Sequence, residues 1–176
     1  MICGHESRSA RAVARRAGFS LMELIVSIAI LAILAGTLVP VMAKKLAASR
    51  DARRLNDTKT AVDSIESYLL DKGALPDGDV EAGNGGYDTT LDGTFLTTLL
   101  TNGMLREPLR DPINDATYHY RYRHYAAGTS GFTSDYYVIG IKKFETSGYA
   151  NTRGYWKGTD HDWTNDFAYC TGGVSR

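Results

Sequence analysis

The sequence predicts an α+β fold in which a long N-terminal helix packs, by its second half, against a small antiparallel sheet. Three observations lead to this class. Residues 24–43 form a run of twenty residues without a charge. The polar segment that follows keeps apolar residues at helical spacing as far as Leu69. Beyond Gly73, apolar and polar residues alternate in short stretches, as they do in strands.

The uncharged run is long enough to cross a bilayer, because ~1.5 Å per residue gives roughly 30 Å, one hydrocarbon core. Residues 1–18 carry four arginines against one glutamate, a net charge of +3, so the rest of a chain of zero formal charge carries −3. Basic flanks stay in the cytoplasm, which predicts a single-pass protein with its head outside the cytoplasm. A secretory signal peptide fits less well, because the run is long and no Ala-x-Ala cleavage site follows it.

Glu23 is the residue in this segment that most needs an explanation. It lies at the start of the apolar run, where an isolated carboxylate is costly and usually functional. It could reach the headgroups as an interfacial residue, or it could pair with a cation in apolar surroundings. The order along the chain is a basic leader, then Gly18, then Phe19, with Glu23 four residues later.

The stretch GFSLMELIVSIAILAILAGTLVPV, which starts at Gly18, resembles the amino terminus of type IV prepilins and type II secretion pseudopilins. In that family a membrane aspartyl peptidase cleaves after the glycine on the cytoplasmic side, and the new terminal residue is N-methylated. The resemblance implies cleavage between Gly18 and Phe19. Glu23 then matches the family's glutamate, and Pro40 matches its helix-kinking proline.

The same resemblance implies how the chain assembles. Cleavage would create an α-amino group on Phe19, and Glu23 of one subunit would meet that amine on its neighbour. The apolar helix would change from membrane anchor to filament core, with Pro40 and Gly36 bending or loosening it. The implied partners are copies of the chain, minor pilins, the prepilin peptidase and an inner-membrane assembly platform. The protein is expected in the inner membrane first, and then in a periplasmic or cell-surface filament.

The helix is expected to continue as far as Lys72. An apolar stripe recurs at offsets of seven, three and four, formed by Leu55, Val62, Ile65 and Leu69. Gly73 is expected to cap the helix, and the charges between Lys44 and Asp63 are expected to form a solvated face. The predicted domains are a leader peptide (1–18), a transmembrane and filament-core helix (19–43), an amphipathic helix half (44–72) and a globular head (73–176).

The head is predicted to contain one short helix and about three strands. Residues 73–93 are rich in glycine and aspartate, which indicates a loop, and residues 94–102 form the short helix. Strands are expected at 118–123, where tyrosines alternate with histidine and arginine, at 135–144 and at 167–170.

Two stretches of the head add a second resemblance. DPINDATYHYRY, which starts at Asp111, is similar to the Asp-Pro-Trp-Gly-x-Pro-Tyr-x-Tyr signature of major pseudopilins, with Ile113 and Asn114 in place of Trp and Gly. KGTDHDWTND resembles the acidic C-terminal loop of the same proteins, which binds calcium. This implies Ca²⁺ at Asp160 and Asp162, whose carboxylate oxygens suit that ion. A solvated acidic loop is the alternative, because the spacing does not fit an EF-hand.

Other classes of function have less support in the sequence. No nucleophile elbow, phosphate loop or zinc spacing is present, so no catalytic residue is predicted, and a membrane-anchored periplasmic enzyme is the remote alternative. A DNA-binding competence pilin would use His119, Arg121, Arg123 and His124, which are otherwise expected to form an ordinary exposed polar face of the strand. Nucleic acid is nevertheless not an expected partner, because a charge of −3 gives no general attraction to it. The sequence therefore favours a structural filament subunit, either of a type IV pilus-like filament or of a secretion pseudopilus.

Overall fold

The computed structural model describes residues 18–146, 159 and 161–175. Its main elements are helix α1 (Leu21–Lys72), strand β1 (Asp88–Thr89), helix α2 (Thr97–Thr101) and strands β2 (Tyr120–Tyr125), β3 (Tyr136–Ile141) and β4 (Tyr169–Val174). A long helix packed with an antiparallel sheet confirms the predicted α+β pilin fold. The chain divides into two compact units, with the boundary between Val41 and Met42.

In the first unit, α1 begins at Leu21 and keeps its apolar side chains exposed. It is the one helix, among the described residues, that is long and apolar enough to cross a membrane, and none of its most apolar stretch is buried. The large exposed side chains of this part are Phe19, Leu21, Met22, Leu24, Ile25, Val26, Ile28, Ile30, Leu31, Ile33, Leu34, Leu38, Val39 and Val41. Such a surface needs lipid or other helices around it.

In the second unit, the later part of α1 packs on one face of the sheet. Ile65 is fully buried there, with Leu55, Val62 and Leu69 packed around it, so the predicted stripe is confirmed. The sheet contributes Tyr120, Tyr122, Tyr137, Ile139 and Ile141 to this core, and the α2 region adds Phe95, Leu96 and Leu99. Gly73 caps the helix as predicted: its φ is +72°, and its N–H donates to the Leu69 carbonyl at 2.8 Å.

The sheet has four antiparallel strands in the order β1-β2-β3-β4, one more than the sequence predicted. The extra strand, β1, lies within residues 73–93, which were predicted to be a loop. Its two residues pair with Tyr122 and Arg121, so tertiary pairing, rather than any local periodicity, creates it. β4 also extends to Val174, beyond the predicted end at residue 170, and α2 is shorter than predicted.

The second face of the sheet carries a smaller core of its own. Tyr136 and Val138 of β3 and Cys170 of β4 belong to it, and the segments before β1 and before β4 add Tyr87, Trp163 and Phe167. Cys170 is buried, as expected for a small hydrophobic residue. His119, predicted to lie on an exposed polar face, is instead 1% exposed. The prediction was wrong because protein groups take the place of water at this ring: Nδ1 lies 3.0 Å from the Asp115 carbonyl oxygen, and Nε2 accepts from Arg121 at 3.0 Å.

Candidate functional site

The predicted scissile bond joins Gly18 to Phe19. Both residues are exposed, and α1 begins two residues after Phe19, with the Leu24 N–H donating to the Ser20 carbonyl at 3.1 Å. The bond therefore lies outside the helical hydrogen-bond ladder and within reach of a peptidase. The rest of the predicted leader lies outside the described residues.

Glu23 is exposed in the first turn of α1, where the positive end of the helix dipole favours a carboxylate. Among the residues that the structure describes, no cation pairs with it. Polar groups further along satisfy themselves within the helix: the Ser27 hydroxyl donates to the Glu23 carbonyl at 2.7 Å, and Thr37 donates to Leu34 at 3.0 Å. Glu23 is consequently the charged group in the apolar part of this helix that a partner could neutralise.

Pro40 lies inside α1, and the helix continues on both sides of it. Proline has no N–H, so the Gly36 carbonyl, four residues earlier, has no backbone donor of the usual kind. Gly36 adds no side chain to stiffen this turn. The pair therefore forms a weak point in the hydrogen-bond ladder, shortly before the boundary after Val41.

Beyond that boundary, α1 carries a buried ionic network that the sequence did not predict. Asp51 and Arg54, expected on a solvated face, are both fully buried. Arg54 donates to Asp51 at 2.6 Å, to Glu145 at 2.8 Å and, through two nitrogens, to Asp111 at 2.6 and 3.0 Å. Its guanidinium also lies over the Tyr118 ring, 5.0 Å from the centroid. The prediction was wrong because carboxylates remote in sequence replace water around the arginine.

Asp51 and Glu145 fasten the segment after β3 to the helix. The Asp51 carboxylate accepts hydrogen bonds from the backbone of Glu145 at 3.1 Å and from Thr146 at 2.9 and 2.7 Å. Burial opposes ionisation of Asp51, but these bonds and Arg54 outweigh it and hold its pKa below the usual value. Hydrogen bonds from Arg50 and Arg54 likewise lower the pKa of Glu145 against the effect of burial.

Asp111 joins the connector before β2 to the same network. Besides accepting from Arg54, its Oδ1 accepts the backbone N–H groups of Ile113 at 2.8 Å and Asn114 at 3.2 Å, so it also shapes the turn. Burial works against the charge of Arg54, but bonds to Asp111, Glu145 and Asp51 overcome it and raise its pKa. Arg54, Asp51 and Glu145 are therefore charged at neutral pH.

A sequence signal for this network was available. The stripe that contains Ile65 continues backwards along α1 at offsets of four and three, through Ala61, Thr58, Arg54 and Asp51, and each of these is buried. Helical spacing therefore placed the two charged residues on the core face. Their residue type suggested solvent, and only the partners show why burial is tolerated.

Of the two predicted calcium ligands, Asp162 is described and Asp160 lies outside the described residues. Trp163 anchors the loop: it is 1% exposed, and its Nε1–H donates to the Tyr125 hydroxyl at 3.0 Å. Within the described parts of the chain, no group of three or more histidine, cysteine, aspartate or glutamate side chains is arranged to hold a metal. The calcium site remains a prediction.

The basic residues considered for DNA do not share one exposed surface. His119 is buried, and burial lowers the pKa of its imidazole. His124 lies between two carboxylates, 3.2 Å from Asp77 and 3.6 Å from Asp135. A phosphate group could therefore not reach the buried His119, and at His124 it would compete with two carboxylates.

Comparison with known families identifies the N-terminal segment. The family model of the prokaryotic N-terminal methylation motif matches residues 13–39. This motif is the prepilin signature of type IV pilins and pseudopilins, which confirms the resemblance seen from Gly18 onward. It belongs to structural pilin-type subunits rather than to an enzyme family, and it implies processing by a prepilin peptidase. No curated protein and no solved structure matches the chain.

Proposed function

We propose that this chain, which carries the prepilin signature, is a structural subunit of a helical type IV pilus-like filament. In this proposal the leader is removed after Gly18, Phe19 is N-methylated, and the chain polymerises through residues 19–43. One observation supports it above all: the matched motif coincides with an apolar helix segment whose side chains are exposed. That segment cannot remain in water, because the hydrophobic effect drives it into lipid or against copies of itself.

The apolar helix segment lies first in lipid and then among copies of itself. A bilayer accepts the helix before assembly, while the basic leader keeps the N-terminus in the cytoplasm and the head outside it. In the filament, neighbouring helices replace the lipid. The amine of Phe19 and the carboxylate of Glu23 are then both removed from water, and they stabilise the assembly only by meeting each other across a subunit boundary.

The proposed partners follow from this sequence of events. A prepilin peptidase cleaves the leader, an inner-membrane platform drives assembly, and copies of the chain with minor pilins form the fibre. The assembled filament lies in the periplasm or at the cell surface. The weak point at Gly36 and Pro40 gives the helix local freedom to adjust its packing as it leaves the bilayer.

A second candidate is the major pseudopilin of a type II secretion piston. Two features of the head favour it. Asp111, which begins the stretch similar to the pseudopilin signature, is buried and paired with Arg54. The acidic loop with Asp160 and Asp162 resembles the calcium loop of the same proteins, and we propose that it holds Ca²⁺ through carboxylate oxygens.

Shearing of intact cells tests the proposal and separates the candidates. Surface fibres that contain this chain, seen by electron microscopy and identified by mass spectrometry, are expected for a pilus subunit. Fibres confined to the periplasm, or formed only on overproduction, would indicate a pseudopilin. Protein that stays in the membrane as unassembled subunits under all these conditions would contradict both.

A further inference from the structure

A cavity of about 490 Å³ opens on the sheet face opposite α1. Its lining includes Arg121 and Arg123 of β2, the rings of Tyr87 and Tyr125, and Asp166. Its volume is in the usual range for small-ligand sites. The filament-forming helix does not contribute to it.

Both arginines are held in place by neutral groups. The Arg121 guanidinium lies over the Tyr87 ring, 5.4 Å from the centroid, and its Nε–H donates to His119 Nε2 at 3.0 Å. The Arg123 guanidinium lies 4.9 Å from the Tyr125 centroid, and its Nη1–H donates to the Gly85 carbonyl at 3.0 Å. Each guanidinium has five N–H donors, so several remain for a ligand.

Neither arginine forms an ion pair with a carboxylate of the described residues. This is unusual for partly buried guanidinium groups: Arg54, in the same domain, is surrounded by three carboxylates. Burial also lowers the pKa of Arg121, so its charge is poorly solvated in the absence of a ligand. Asp166 and Glu81 attract the charge of Arg121 through space, but no carboxylate of the described residues bonds directly to either guanidinium. Two fixed cations whose N–H donors are not taken up by a carboxylate favour an oxyanion beside them.

The chemistry at Asp166 restricts which anion fits. Its carboxylate accepts hydrogen bonds from the Tyr87 hydroxyl at 3.1 Å and from the His161 ring at 2.7 Å, so it is fixed within the cavity wall. A ligand with negative charges along its whole length would meet this carboxylate. A ligand with one anionic group and several hydroxyls would instead donate to it.

We propose that this cavity binds an acidic sugar residue, with the sugar carboxylate on Arg121 and Arg123 and a ring hydroxyl donating to Asp166. A uronic acid has both groups on one ring. A polyphosphate such as nucleic acid is disfavoured, because of Asp166 and because the chain after residue 18 carries a net charge of −3. The filament proposal does not depend on this site.

The test uses the full chain in detergent micelles, titrated with D-galacturonic acid and with D-galactose, which has a neutral hydroxymethyl group in place of the carboxylate. Binding is followed by NMR on the side-chain Nε–H signals of arginine. Saturable binding of galacturonate is expected, with galactose at least about tenfold weaker, because the charge-assisted bonds are lost. Inorganic sulfate and single-stranded DNA serve as the other two ligands and are expected to bind more weakly than galacturonate.

Two variants and a control locate the site. Arg123→Gln is expected to weaken galacturonate binding about tenfold or more, and Asp166→Asn to weaken galacturonate without weakening sulfate. Arg106→Gln removes the same charge from an exposed connector position and should change neither galacturonate binding nor sulfate binding. Equal affinity for galactose and galacturonate would overturn the proposal, and so would tighter binding of DNA. Because these ligand comparisons use the unaltered protein, they decide the matter even if a variant does not fold.

Discussion

The guanidinium of Arg54 donates two hydrogen bonds to the carboxylate of Asp111, from Nε to Oδ2 at 2.6 Å and from Nη2 to Oδ1 at 3.0 Å. The two residues are 57 positions apart, and both are buried. A bidentate pair of this kind fixes both distance and angle. It therefore sets how the connector before β2 lies against the helix, and Glu145 does the same for the segment after β3.

We expect Arg54→Ala to destabilise the head by about 3–5 kcal/mol, because it leaves three carboxylates without their common cation. The adjacent Arg53→Ala is the matched control. Arg53 is largely exposed and lies 3.6 Å from Asp57, so its loss should cost at most about 1 kcal/mol. Denaturant unfolding of the two variants measures the difference. Similar losses from both would show that the buried network does not contribute specially to stability.

The raised pKa of Asp88 predicts how the stability of the head depends on pH between about 4 and 7. It is 2% exposed, and burial raises its pKa to about 7, against bonds from the backbone of Leu96 and Asp79. The folded state therefore binds its proton more tightly than the unfolded state, whose pKa is about 3.9. The contribution of Asp88 to the free energy of unfolding is fully present below the pKa of the unfolded state. It is lost as the pH rises through the pKa of the folded state, by at most about 1.4 kcal/mol per pH unit.

The head should consequently be more stable at pH 5 than at pH 8, and Asp88→Asn should flatten the curve in that window. Unfolding curves across the range measure this. Asp63→Asn, an exposed carboxylate on α1, is the control and should leave the curve unchanged. An unaltered pH dependence in Asp88→Asn would assign the effect to other groups.

Processing is expected between Gly18 and Phe19. Intact-mass analysis of assembled protein should show a chain that lacks residues 1–18 and carries one added methyl group. The same protein from cells without the prepilin peptidase should keep its leader and form no fibres. Filaments whose subunits still begin at Met1 would refute this processing.

Glu23→Ala is expected to leave membrane insertion normal, since it removes a charge from an apolar segment. Filament yield should nevertheless fall sharply, because the Phe19 amine loses its proposed partner. Membrane content by immunoblot and fibre yield after shearing measure the two effects separately. Glu107→Ala, which removes an exposed carboxylate from the head, is the control. Normal fibre yield from Glu23→Ala would make Glu23 a merely interfacial residue.

Calcium is expected to stabilise the loop from residue 158 to Asp166. If the folded head alone binds the ion, a hundredfold excess over the dissociation constant adds ~2.7 kcal/mol, which raises the melting temperature by several degrees. Thermal melting in calcium against excess chelator measures the shift. Asp160→Ala and Asp162→Ala should each abolish it, while Asp63→Ala should not. Equal melting temperatures with and without calcium would leave the loop as a solvated turn.

The sequence by itself determined the features that depend only on residues close together in the chain. The prepilin signature is one contiguous stretch, and the length of its apolar run follows from residue types alone. The second half of α1 was predictable because Ile65 and Leu69 repeat with the period of a helix. Its end was predictable because glycine readily adopts the positive φ that Gly73 has at the end of the helix. β2 was predictable because its tyrosines alternate with basic residues, and β3 because it is rich in β-branched and aromatic residues; alternation did not show that both faces of β3 are buried.

Tertiary structure decided what depends on partners distant in the chain. β1 has only two residues, too few for any periodicity, and it exists because Tyr122 and Arg121 pair with it. The cavity beside Arg121 likewise forms only when segments from before β1 and before β4 meet over the sheet. Arg54 shows the reason most plainly: a charged residue is buried only if its countercharges are present, and its partner Glu145 is 91 residues away.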